Sequence, residues 1–188
     1  MKLNLGCGLN KQPGFVNVDL HGEPDLVWDL EVFPWPWPDD AAAEIWLIHV
    51  LEHLGRDVAV FIRIMQELYR VAAPGAAIRI VVPHPRHDDF INDPTHVRMI
   101  TADTMTLFSK KYNRRWQALG AANSPLALYH NVDFDIVAVN SELDEPYASA
   151  FKNGTMTEDR LKNSIRTYNN VIRATTIDLV AVKERPAG

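Results

Sequence analysis

Leu3-Asn4-Leu5-Gly6-Cys7-Gly8, joined through residues 9–15 to Val16-Asn17-Val18-Asp19, describes two short apolar strands framing a glycine turn. Glycine lets the backbone turn sharply and approach a ligand without a Cβ clash. A carboxylate at the end of the second strand can accept bonds from both hydroxyls of a ribose. Gly-x-Gly alone joins elements in many folds, so the signal lies in the ordered set of strand, turn, strand and acid. Only about ten residues separate Gly6 from Val16, whereas a parallel crossover usually takes a dozen or more. The first helix is therefore expected to be very short or absent.

Outward from this stretch, Leu26-Val27-Trp28 reads as a third strand ending at Asp29, and Glu44 to Val50 as a fourth with the nearly continuous apolar character of a parallel strand. Between them, Phe33-Pro34-Trp35-Pro36-Trp37-Pro38 cannot be helical, because its prolines lack donors and restrict their neighbours; a stiff surface loop is expected. Val58 to Val71 carries apolar residues at the three-to-four spacing of an amphipathic helix. Pro74-Gly75 is expected to stop that helix, and Ile78 to Val82 to form the fifth strand. Ala102 to Phe108 reads as a helix with Thr101 as N-cap. Thr157 to Val171 reads as another, opened by Thr157, Glu158 and Asp159, between alternating strands at Phe134 to Val139 and Thr176 to Lys183. Alternation of strand and helix predicts one α/β domain over residues 1–188, with a parallel sheet and helices on both faces.

Composition agrees with a soluble globular protein: 188 residues, 47% hydrophobic and 23% charged, form the ordinary mixture. The net charge of -5 disfavours a nucleic-acid partner, since the short basic stretch Lys110, Lys111, Arg114 and Arg115 reads as a solvated helix face. Charges or prolines interrupt every apolar run before it reaches bilayer length, so no membrane partner is expected. Cys7 is the only cysteine, which forbids an intrachain disulfide. With no leader pattern at the start, the reading is cytoplasmic. Nothing sets the oligomeric state, and a homodimer stays open.

These motifs resemble the class I S-adenosylmethionine (SAM)-dependent methyltransferases, particularly small members with a Leu-Asn-Leu-Gly-Cys-Gly start. The match extends through Asp29-Leu30, Pro36 to Asp39, His49-Val50-Leu51-Glu52-His53-Leu54 and Leu68-Tyr69-Arg70-Val71 with Pro74-Gly75, covering Leu3 to Pro83 well and the remainder loosely. The resemblance implies a Rossmann-like three-layer sandwich whose seven-stranded, mostly parallel sheet ends in an antiparallel strand, and it implies SAM as cofactor. It places Leu5, Gly6, Cys7 and Gly8 at the methionine part of SAM, Asp19 and Leu20 at the ribose, Asp29 and Leu30 around adenine, and Ile48 and His49 near the sulfonium. Asn10 stands where the family's third glycine falls. The implied activity is methyl transfer to a hydroxyl or amine of a small molecule by direct displacement, which needs mainly an in-line approach and exclusion of water.

Histidines gather after the fourth and fifth strands, at His49, His53, His84, His87 and His96. A hydroxyl acceptor benefits from a general base, a role that suits histidine at neutral pH, and His87 and His96 are the catalytic candidates. A loop histidine more often makes a structural hydrogen bond, and His53 reads as buried by the helix start. His84, His87, Asp88 and Asp89 carry ligand chemistry, but their spacing matches no zinc signature, so no metal is assigned. Trp28, Trp35 and Trp37 could face adenine or pack in the core.

Two other functions fit the fold. A SAM-fold protein could bind or assemble without catalysis. A nicotinamide-dependent oxidoreductase shares the strand, turn and acid, but it needs a third glycine where Lys11 stands, a full helix after it and a later acid.

Overall fold

The computed structural model describes residues 1–183; residues 184–188 of the expected domain lie outside the described residues. Seven strands form one sheet in the order β3-β2-β1-β4-β5-β7-β6. Strands β1 (Lys2–Leu5), β2 (Val16–Asp19), β3 (Leu26–Val27), β4 (Ala42–Ile48) and β5 (Ala72–Pro83) run parallel to one another. β7 (Ile172–Ala181) inserts antiparallel between β5 and β6 (Phe134–Leu143), as the resemblance implies. The order reverses between β1 and β4, the place where open α/β sheets bind ligands beyond the strands' carboxyl ends.

Register shows that the sheet's two faces differ. Leu3, Ile45, Ile78 and Leu179 pair across four strands, as do Leu5, Leu47, Ile80 and Ile177, and all eight are at most 1% exposed. α1 (Val58–Val71) covers this face with Phe61, Ile64, Met65 and Leu68, starting from Asp57, whose side chain accepts from the Ala59 N–H. The opposite register carries Lys2 beside Glu44, and Trp46 beside Arg79 beside Asp178. Lys2–Glu44 and Arg79–Asp178 are ion pairs of 2.7 and 2.8 Å, Phe15 packs on Trp46, and these side chains reach solvent.

Helices were expected on both faces of the sheet, and on this side the connection from β1 to β2 supplies none. Residues 6–15 between β1 and β2 contain no helix. Two buried asparagines take its place. Asn17 Oδ1 accepts from Asn4 Nδ2 and the Gln12 N–H, while Asn17 Nδ2 donates to Gln12 and Phe15 carbonyls and to Asp25. Their side chains satisfy loop backbone that a helix would satisfy by itself. Asp25 also accepts the Asn17 N–H and pairs with Lys11 at 2.6 Å. The Lys11 contact, with the Asn17 bonds, holds its pKa at about 2. A depressed folded-state pKa stabilises above the unfolded value and is lost as pH falls through the folded one. The stability gap between wild type and Asp25→Asn is therefore expected to be full above about pH 4 and to close toward pH 2, as read by thermal unfolding across that range.

Several boundaries differ from the sequence reading for local reasons. Phe33 to Pro38 is not a surface loop: Pro34, Pro36 and Pro38 are exposed, while Trp35 and Trp37 point into the core. The Trp35 N–H donates to Glu67 Oε2 at 2.7 Å, its indole donates to the Leu30 carbonyl, and Arg70 donates to the Trp35 and Trp37 carbonyls. Pro74-Gly75 does not end α1, which stops at Val71. It forms a bulge inside β5, with Gly75 at φ +80°, where the register jumps from Ala72 opposite Ala42 to Ala77 opposite Glu44. β4 ends at Ile48 rather than Val50 because His49 has φ +54°.

Beyond β5 come α2 (Asp88–Ile91), α3 (Ala102–Thr106), α4 (Lys110–Leu119), α5 (Leu126–His130), α6 (Tyr147–Lys152) and α7 (Glu158–Thr167). Thr101 caps α3 in a capping box, and Thr157 caps α7, which ends at Thr167 instead of Val171. The basic stretch lies on α4. Among the described residues no helix is long and apolar enough to cross a membrane.

Candidate active site

Two cavities open at the carboxyl ends of the parallel strands. The first, of about 430 Å³, is lined by Gly6 and Gly8 after β1, Asp19, Leu20 and His21 at the end of β2, Trp28, Asp29 and Leu30 after β3, and His49, Val50, His53 and Leu54 after β4. Of the residues expected around a cofactor, Gly6, Gly8, Asp19, Leu20, Asp29, Leu30 and His49 line it. Leu5, Cys7 and Ile48 do not. Leu5 is fully buried in the core, Cys7 is buried with its N–H on the Val18 carbonyl, and Ile48 pairs with Val81 on the open sheet face. His21, Val50, His53 and Leu54 were missed; each stands one to five residues from a predicted one, and only the turn conformation brings it in.

Gly6 has φ +68°, and a Cβ there would lie 2.3 Å from Val50 Cγ2. Gly6→Ala is expected to cost about 1–3 kcal/mol through left-handed strain and overpacking, read as a lower denaturation midpoint. The Asp19 carboxylate accepts from the Gly8 N–H at 2.7 Å and the His21 N–H at 2.9 Å. Two of its roughly four acceptor sites remain for a ligand's hydroxyls. Trp28 Nε1 is a buried donor without a partner, on a residue lining the same cavity. The cavity thus offers a carboxylate acceptor, an aromatic face and a close backbone approach, which fit a nucleoside with a small polar tail.

The second cavity, of about 370 Å³, is lined by His49, Glu52, His53, Pro83, Asp89, Asp93, His96, Glu142, Arg173 and Ala174. His49 and His53 line both cavities and so form the wall between them. The His49 N–H is fixed on the Val81 carbonyl, and its Nδ1 lies 3.5 Å from Glu52 Oε1. That contact raises its pKa above the ordinary histidine value, against the effect of burial. At that separation it is a charge contact only, and neither Glu52 oxygen has a hydrogen-bond partner. His53, expected to be buried by the helix start, is only partly so and faces both cavities.

The two histidines proposed as bases are placed differently. His96 lines the second cavity, with Nδ1 on the Phe90 carbonyl at 2.8 Å, which makes Nδ1 the protonated nitrogen and leaves Nε2 with its lone pair. His87 lines neither cavity and is 5% exposed. Its Nδ1 accepts the Asp89 N–H, capping α2, and its Nε2 donates to Asp144 at 3.0 Å, holding that carboxyl below the usual range. Both nitrogens are spent, so His87 ties the β5 loop to the end of β6 instead of serving as base. The metal-capable loop set also separates, because His84 Nδ1 accepts the Arg86 N–H and Asp89 pairs with Arg173.

No protein-family model matches the chain, and no curated protein matches it by sequence. Similarity appears in three dimensions. A SAM-dependent methyltransferase from Archaeoglobus fulgidus superposes with TM-score 0.60 at 18% identity, covering 95% of this chain and 85% of its own. A SAM-dependent methyltransferase from Methanosarcina mazei superposes with TM-score 0.54 at 14% identity, covering 97% and 92%. The chain has the fold of the SAM-dependent methyltransferases. Phosphoethanolamine N-methyltransferase 2 of Haemonchus contortus, solved in complex with S-adenosyl-L-methionine, shares this methyltransferase fold with TM-score 0.54 at 9% identity, covering 97% of this chain and 48% of its own. The oxidoreductase alternative loses its footing here. A dinucleotide's pyrophosphate sits on a helix N-terminus after the glycine turn, and residues 6–15 form no helix.

Proposed function

We propose that this protein is an enzyme that binds SAM in the first cavity and transfers its methyl group to a hydroxyl or amine of a small polar molecule held in the second. The observation that carries the reading is the wall shared by the two cavities at His49 and His53. A group transferred between two ligands must pass where their sites meet, and direct displacement needs an acceptor held in line and shielded from water.

When bound, SAM supplies an electrophilic methyl carbon. Asp19 holds the ribose hydroxyls, Trp28 and Leu30 flank the adenine, and the backbone of Gly6 and Gly8 admits the methionine part. On the acceptor side, Asp93 and Glu142 add negative charge to the wall, while Arg173 is paired with Asp89. Such a wall favours an acceptor that carries hydrogen-bond donors or an ammonium group. His96, which lines this space with Nε2 unbonded and 3.8 Å from Asp93 Oδ2, is the base for a hydroxyl acceptor.

Incubation with methyl-labelled SAM and a pool of small polar metabolites is expected to move label into an ultrafiltrable product with wild-type protein and not with Asp19→Ala. Label that stays on SAM while SAM binds normally would favour a non-catalytic binding or assembly protein.

A further inference from the structure

We propose that Glu52, His53 and His96 form a site for a divalent first-row transition-metal ion at the inner end of the second cavity. The ligand atoms of these three residues lie within 4.8 Å of one another, although the last is 43 positions beyond the second in the chain. Two imidazoles and one carboxylate suit zinc, cobalt, nickel, manganese or ferrous iron better than magnesium or calcium.

Three features go beyond mere clustering. The side chain of Glu52 is 1% exposed, and both carboxylate oxygens lack a hydrogen-bond partner. Its one charge contact is His49 Nδ1 at 3.5 Å, and a buried carboxylate with no hydrogen-bond donor is costly unless a further cation meets it. Both histidines are also set in the tautomer that a metal needs. Thr95 Oγ1 donates to Asp93 at 2.6 Å, so it accepts from His53 Nδ1–H at 2.9 Å. His96 Nδ1–H donates to the Phe90 carbonyl. In the neutral imidazoles Nε2 then carries the lone pair, that of His96 lying 3.8 Å from Asp93 Oδ2 without a hydrogen bond, and such outer-shell oxygen partners are what orient metal-bound histidines. Finally, the three residues line a cavity with room for further ligands.

Metal binding stands on these contacts alone and does not depend on methyl transfer. If the transfer reading also holds, the ion takes the place of His96 as the group facing the acceptor, which would then bring an oxygen able to coordinate it.

The test is a calorimetric titration of untagged, chelator-treated full chain with Zn²⁺, repeated with Co²⁺ to read its visible spectrum, beside a separate titration with S-adenosylhomocysteine. Wild type is expected to bind one equivalent, with cobalt bands and a raised melting temperature. Thr95→Val, which touches no ligand atom of the ion, should weaken binding about 10- to 100-fold, and Glu52→Gln and His96→Ala should abolish it. Metal-free Glu52→Gln should melt close to wild type, since it removes a buried charge that has no hydrogen bond and only the long contact to His49. No saturable binding, or equal binding by wild type, Thr95→Val and Glu52→Gln, would overturn the site. Loss of S-adenosylhomocysteine binding with metal binding intact would count against the cofactor reading only.

Discussion

Asp19→Ala is expected to weaken S-adenosylhomocysteine binding by about 100- to 10,000-fold, because hydrogen bonds to a charged group contribute about 1.5–3 kcal/mol each and two ribose hydroxyls lose theirs. The side chain stands at the end of β2 with its carboxylate already fixed by the Gly8 and His21 N–H groups. Those bonds pre-set its orientation, so little ordering cost remains when a ligand arrives. Asp19→Asn, which keeps one acceptor oxygen, should fall between. Calorimetry gives the affinities, and equal melting temperatures would show that the loss is local. Wild-type affinity in Asp19→Ala would remove the ribose assignment.

The largest expected effect on stability is at Trp35. Its side chain is 2% exposed and stacks edge-on with Trp37 at 6.2 Å between ring centroids. Truncating a buried aromatic of this size costs about 3–5 kcal/mol in transfer and cavity terms. Trp35→Ala should therefore lower stability by that amount in denaturant titration, a large part of what a domain this size has to lose. Because Glu67 and Arg70 meet the backbone of residue 35 rather than its indole, they survive the substitution. A cost below about 1 kcal/mol would mean that residues 33–38 are the surface loop their prolines suggest.

The central sheet was legible because its parallel strands carry apolar runs, and the cofactor side because Gly6, Gly8 and Asp19 lie close in sequence. Its open face was legible too, in the alternation of polar and apolar residues along the same strands. Lys2, Asn4, Asn17 and Glu44 alternate with apolar residues, and period-two polarity in a parallel strand means that one face is not covered by apolar helix surface. The Trp-Pro alternation over residues 34–38 carried the same message, with tryptophans in and prolines out.

The acceptor side was harder to read. His87 and His96 stand in similar polar loops, and what separates them is a helix cap and a hydrogen bond to Asp144, a residue 57 positions away. Glu52 and His53 meet His96 only because the Val97 and Arg98 N–H groups bond the Glu52 carbonyl, bringing that loop back over the turn after β4. No local spacing encodes such a return.

The account rests above all on the first cavity holding an adenosyl ligand. Titrating wild-type protein with S-adenosylhomocysteine and, separately, with NAD tests this directly. Saturable micromolar binding of the former at one site and none of the latter is the predicted result; no binding of S-adenosylhomocysteine, or tighter binding of NAD, would contradict it.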